Sequence, residues 1–202
     1  VAAAIHHWAP SFVANGVPLT DFQEVTAGIE RWDDWCRAWS ARAAVHEALG
    51  DAAHQQGLNL SAGEHWGRAG VCYHFAKFVF VDDVAQMKAA HMNAVACRAR
   101  ALPFERPVGE RVEIPFQGTS FKGILRKPAG VEKPPVVIMV MGLDSAKEET
   151  AAYEAPFLAR GMAVLVFDGP GQGESEYELP IRGDYEVAVR AVVDYVETRA
   201  DL

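Results

Sequence analysis

Cysteine is scarce in this sequence. The 202 residues hold three, Cys36, Cys72 and Cys97, widely spaced and without a CxxC pair. That argues against a disulfide framework and for a reducing compartment, with the thiols expected as small buried hydrophobes. Long apolar runs are missing too: "VVIMVM" and "MAVLVF" are far too short to span a bilayer. The opening "VAAAIHHWAP" lacks the basic start and long apolar stretch of a signal peptide, and it lacks an initiator Met. A cytoplasmic location, with the true start upstream, is the expectation. Positive charge is the minority, 19 Lys and Arg against 27 Asp and Glu, for a formal net charge of −8. No basic stripe carries interleaved aromatics, so neither nucleic acid nor a membrane is expected as a partner. A metal motif is also lacking. His46, His54, His65, His74 and His91 form no H-E-x-x-H, and the adjacent His6 and His7 are expected to be mobile. No metal and no cofactor are expected.

Half of the residues are hydrophobic and 10% aromatic, enough for a sizeable core in one or two domains. Up to about Arg100 the pattern is helical. Thr20 with Gln23 and Ser61 with Glu64 read as capping boxes, and Asp82 or Asp83 as the cap of a further helix that Pro103 stops. A long amphipathic stretch from about Trp32 to Gln56 puts Trp32, Trp35, Trp39 and Ala43 on one stripe. That stripe and the group Tyr73, Phe75, Phe78 and Phe80 read as helix–helix core. No repeat is strong enough to imply a solenoid.

After "LPFERPVGE" the period changes to two. "RVEIPF", "GTS" and "FKGILRKP" predict a β-hairpin, and "PPVVIMVMG" a strand covered on both faces. A helix to Gly161, the strand "MAVLVFD" and the helix "GDYEVAVRAVVDYVETRA" complete a β-β-β-α-β-α order. The expected domains are a helical one over 1–105 and an α/β one over 106–202, an antiparallel start leading into a doubly wound sheet.

The stretch "FDGPGQGES" places Gly169, Gly171 and Gly173 straight after a strand. Their G-x-G-x-G spacing misses the dinucleotide fingerprint. Glu174-Ser175 stands where a phosphate loop needs Lys-Ser/Thr, and its carboxylate would repel a phosphate. What remains is a sharp turn at the carboxyl end of a parallel strand, where α/β sheets build their sites.

Together "VVIMVMGLDSAKEE", "GMAVLVFDGPGQGES" and "IRGDYE" resemble the α/β-hydrolase branch that contains 2,6-dihydroxypseudooxynicotine hydrolase and fungal polyketide-shortening hydrolases. The resemblance covers nearly the whole chain, the helical part in layout only. It implies a helical lid domain followed by the first half of an α/β-hydrolase sheet, with strand order 1-2-4-3-5. It implies a serine-dependent hydrolase that cleaves a C–C or ester bond next to a carbonyl in a small aromatic or polyketide-like substrate. Within "MGLDS", the Leu143 N–H becomes one oxyanion-hole donor, with Gly142 allowing close approach. Gly169, Gly171 and Gly173 become a site-shaping turn, and Tyr73 and His74 candidate pocket residues on the lid. A homodimer is expected.

The sequence departs from that family pattern in one respect: no G-x-S-x-G occurs. The Ser/Asp/His triad is therefore expected beyond Leu202, together with the missing C-terminal half of the hydrolase domain. The 202 residues alone should then be inactive, and Val136–Met141 should form a sheet edge. Ser145, with Glu148, reads as a helix cap rather than a nucleophile, and Ser175, with Glu178, likewise. Asp168 reads as a turn holder and Lys147 with Glu148 as a salt-bridged helix start. The alternative is a non-catalytic dimerisation or binding module on a truncated hydrolase scaffold.

Overall fold

Helices account for most of the chain's first half. They are α1 (Ala2–Ala14), α2 (Leu19–Ala27), α3 (Trp35–Gln55), α4 (Asn59–Lys77) and α5 (Val84–Ala101). The computed structural model describes residues 2–202, with side chains from residue 5 onward, and the chain divides between Glu105 and Arg106 into two compact units. His6 and His7 lie within α1, not in the loose tail expected of them. Asp83 caps α5 by accepting the Gln86 N–H at 2.9 Å. The other two expected caps do not form. Helix α2 begins on Leu19 after Pro18, and α4 on Asn59 after Leu58, neither with a side-chain cap. Pro18 has no N–H and a φ of −57° already suited to helix entry, so the start falls two residues earlier and Thr20 lies inside the first turn. Ser61 lies inside its first turn in the same way.

The tryptophan stripe holds, shortened at its start. Trp32 sits in a 3₁₀ turn, Trp32–Asp34, and stays partly exposed, whereas Trp35, Trp39 and Ala43 are fully buried. Around them the rings of Phe12 and Phe75 stack, and Trp35 Nε1 donates to the Phe75 carbonyl at 2.8 Å. Burying side chains such as Phe12 and Phe75 contributes about 1.5–3 kcal/mol each. All three cysteines are buried and unpaired by disulfides.

In the second unit, β1 (Gly109–Phe116) and β2 (Thr119–Arg126) form the hairpin. Its turn is Gln117-Gly118, at φ 44° and 86°, so Thr119 and Ser120 of the expected turn "GTS" belong to β2 instead. Positive φ at both central residues matches the twist of the strands, and glycine adopts it freely. Strands β3 (Val136–Val140) and β4 (Ala163–Asp168) follow, separated by α6 (Ala151–Leu158), and α7 (Tyr185–Thr198) closes the unit. The sheet order is β1-β2-β4-β3, with β2–β4 antiparallel and β3–β4 parallel. Every residue of β4 is buried, as its unbroken apolar text requires.

Among the described residues β3 has a partner only on its β4 side. Ala163 donates to the Pro135 carbonyl at 2.9 Å. Strand alternation then turns the N–H groups of Val137 and Met139 toward β4 and those of Val136, Ile138 and Val140 outward. In the 202-residue chain the outward amides should exchange with solvent deuterium far faster than the inward pair. Equal protection of both sets, read by NMR, would contradict this sheet order.

Candidate active site

The carboxyl ends of β3 and β4 carry the two turns singled out in the sequence. Gly142 and Leu143 follow β3, Gly169–Gly173 follow β4, and the structure brings them together. Here Val140, Met141, Leu143, Pro170, Gln172, Ile181, Arg182 and Tyr185 line a cavity of about 260 Å³. Its walls are mainly apolar. The one charge, Arg182, is already held by Asp184 at 2.7 and 2.8 Å and by Gln117 at 3.0 Å.

Gln172 joins the two turns and was not foreseen from the sequence. It is 6% exposed, and its amide uses every donor and acceptor it has. Nε2 donates to the carbonyls of Met141 and of Gly142, the latter at 3.1 Å. Oε1 accepts the Gly169 N–H at 3.2 Å and the Tyr185 hydroxyl. In a trans peptide the N–H points opposite to the C=O. With both carbonyls drawn to Nε2, the N–H groups of Gly142 and Leu143 therefore face away from it on one side. Neither N–H has a hydrogen-bond acceptor among the described residues, and Leu143 is 65% exposed. Successive N–H groups turned the same way form an anion-binding concavity.

The glycines make this approach possible. A Cβ on Gly169 would lie 2.1 Å from the Tyr185 hydroxyl oxygen, and one on Gly173, at φ 46°, 2.1 Å from the Asp168 carboxyl carbon. A Cβ on Gly171, at φ 76°, would lie 2.8 Å from Ile181. The sequence signal for Gln172 was its position inside this glycine turn; its partners lie 13 and 31 residues away.

Below the turns a buried ion cluster locks β3's loop to β4's. Lys147 is fully buried, and its Nζ lies 2.6 Å from Asp168, 2.7 Å from Glu148 and 2.6 Å from Glu174. Glu174 also pairs with Arg111 of β1 at 2.7 Å. Burial works against the ammonium charge, but Asp168, Glu148 and Glu174 outweigh it and hold the Lys147 pKa above its ordinary value. Burial likewise opposes the Glu174 charge, and Arg111 and Lys147 overcome it, keeping that carboxyl below the usual range. Asp168 holds its turn as expected, accepting the N–H groups of Lys147 and Glu174, each at 2.9 Å.

Neither serine caps a helix. The 3₁₀ turn Lys147–Glu149 has Ala146 at its N-cap without a side-chain bond, which corrects the expectation for Ser145. Ser175, inside the 3₁₀ turn Gly173–Tyr177, is buried and donates to the Asp168 carbonyl at 2.7 Å. No histidine occurs between Arg106 and Leu202.

Tyr73 and His74 belong to the helical unit. Tyr73 is 5% exposed and donates to Glu47 at 3.1 Å, while His74 is fully buried. Burial and the Glu47 carboxylate together hold the Tyr73 phenol above its ordinary pKa. Elsewhere in that unit Asp21, His46 and Cys72 bring donor atoms within 4.8 Å of one another. Arg42, 3.4 Å from Asp21, and His46, 2.5 Å from it, already pair the carboxylate, and burial pushes the thiol up to about 12. The Asp21 carboxylate is thus already engaged by hydrogen bonds within the helical core.

The family described as esterase FrsA-like matches residues 21–195. The 2,6-dihydropseudooxynicotine hydrolase of Paenarthrobacter nicotinovorans is 38% identical over 160 residues, spanning 79% of this chain and 43% of that protein. The α/β hydrolase ucsC of an Acremonium species is 32% identical over 210 residues, spanning 92% of this chain and 42% of that protein. The crystal structure of the 2,6-dihydroxy-pseudo-oxynicotine hydrolase superposes with a TM-score of 0.86 at 32% identity, over 96% of this chain and 54% of that one. The chain thus spans about half the length of the relatives it matches. It belongs to the FrsA-like esterase family, with the helical region and mixed sheet of an α/β hydrolase.

Proposed function

We propose that these residues supply the lid and the oxyanion side of a serine-dependent hydrolase. The enzyme would act on a C–C or ester bond next to a carbonyl in a small, largely apolar substrate. The observation that carries this reading is the pair of unpartnered N–H groups at Gly142 and Leu143, beside an apolar cavity at the carboxyl end of the sheet. Fixed donors of this kind stabilise the negative charge that develops on a carbonyl oxygen under attack. The Leu143 N–H is the donor, and Gly142, without a side chain, lets the substrate oxygen come close. The glycine turn shapes the floor.

The name of the Paenarthrobacter relative supports a small aromatic substrate, and the polyketide-like alternative rests on the motif resemblance alone. The nucleophile, its acid and its base come from outside these residues. Ser175 is engaged with a carbonyl, and no G-x-S-x-G occurs in residues 1–202.

A fluorophosphonate probe tests the reading. The full-length protein should take up one equivalent at a serine outside residues 1–202, and residues 1–202 alone should take up none. Labelling at Ser145 or Ser175, or no labelling of the full-length protein, would overturn it.

A further inference from the structure

The oxyanion turn has no regular structure to hold it: β3 ends at Val140, and the next helical turn starts at Lys147. Yet a donor serves catalysis only if its direction is set before the reaction. The residue that sets it is visible in the hydrogen bonds. Resting on the function proposed above, we infer that Gln172 is a positioning residue. It fixes the Gly142 and Leu143 N–H groups toward the substrate oxygen by holding the two preceding carbonyls from behind.

The assignment rests on completeness. The amide has two donors and one acceptor oxygen, and each meets a group of the opposite kind: two carbonyls on Nε2, the Gly169 N–H and the Tyr185 hydroxyl on Oε1. Turning the amide over would set NH₂ against N–H and oxygen against two carbonyls, so only one orientation is compatible with its neighbours. Gly169 is itself pinned, because any side chain there would strike Tyr185. The orientation of α7's first residue is thereby transmitted through one amide to two peptide planes of the opposite turn. Gln172 itself needs no contact with substrate.

Gln172→Glu isolates the effect. The isosteric carboxylate keeps an acceptor for Gly169 and Tyr185 but aims a second oxygen at the two carbonyls. The turn should rotate away from it. In the full-length protein, with a p-nitrophenyl ester as probe, kcat should fall roughly 10–100-fold while KM stays within about threefold. A protonated carboxyl regains one donor, so the ratio of wild-type to variant kcat should shrink as the pH is lowered. A purely structural role would leave that ratio flat. Gln172→Met, neutral and similar in length, should lose kcat comparably without the recovery at low pH, and it serves if the glutamate variant fails to fold. Folded variants with wild-type kcat at every pH would overturn the role of Gln172 and leave the hydrolase reading standing. A wild-type protein that neither turns over the ester nor takes up fluorophosphonate would instead overturn the hydrolase reading and, with it, this one.

Discussion

Replacing Lys147 by methionine should destabilise the α/β unit by about 3–5 kcal/mol, the usual consequence of removing one partner from a buried ion pair. For a protein of this size that lowers the melting temperature by roughly 6–20 °C. The reason lies in what the ammonium holds. Its Nζ is within 2.7 Å of Asp168, Glu148 and Glu174, with no exposure of the lysine side chain. Glu174 also pairs with a second cation, Arg111. Without Lys147, burial penalises every charge that remains, and those carboxylates need protons to stay inside. The loss should therefore shrink as the pH is lowered and grow as it rises, because the folded variant then binds more protons than its unfolded chain. Thermal melts of both proteins from mildly acidic to neutral pH check this. A difference that is small, or independent of pH, would show that the cluster contributes little.

The sheet was legible because its text is local. Period-two alternation marked the hairpin, and the unbroken apolar runs of β3 and β4 marked parallel strands. The glycine and Leu143 turns could be placed at strand ends before any geometry was known. Helix starts were less legible. Ser or Thr followed three residues later by Glu or Gln is a necessary pattern for a capping box, but its residue must also stand extended at the N-cap. At Thr20, Ser61 and Ser145 the chain enters its helical turn elsewhere, at Pro18, Leu58 and Ala146. Only Asp83 meets the condition.

The side chains that organise the site escaped for a different reason: their partners are distant in sequence. Glu174 read as a carboxylate that would repel phosphate, whereas its companion Arg111 lies 63 residues earlier. Lys147 and Asp168, 21 residues apart, each read as local features. Gln172 stood in plain view among three glycines, but nothing in its spacing announces two carbonyls of the turn after β3. Burial of an amide inside a glycine turn was the one available hint, since a buried polar group must find partners.

The proposed oxyanion role of the Leu143 N–H is tested most directly by removing that hydrogen. Substituting the Gly142–Leu143 peptide bond with an ester, by incorporating the α-hydroxy analogue of leucine, deletes the N–H, preserves the side chain and the planar backbone, and leaves the Gly142 carbonyl as a weaker acceptor for Gln172. Because that N–H makes no hydrogen bond among the described residues, folding should change little. Losing one oxyanion donor typically lowers kcat by about 10²–10³-fold. In the full-length protein, steady-state hydrolysis of an activated ester should show a fall of that order in kcat, with KM nearly unchanged and the melting temperature close to wild type. A kcat within about twofold of the unmodified protein, a gap of only about 0.4 kcal/mol in barrier, would mean that this turn does not bind the oxyanion.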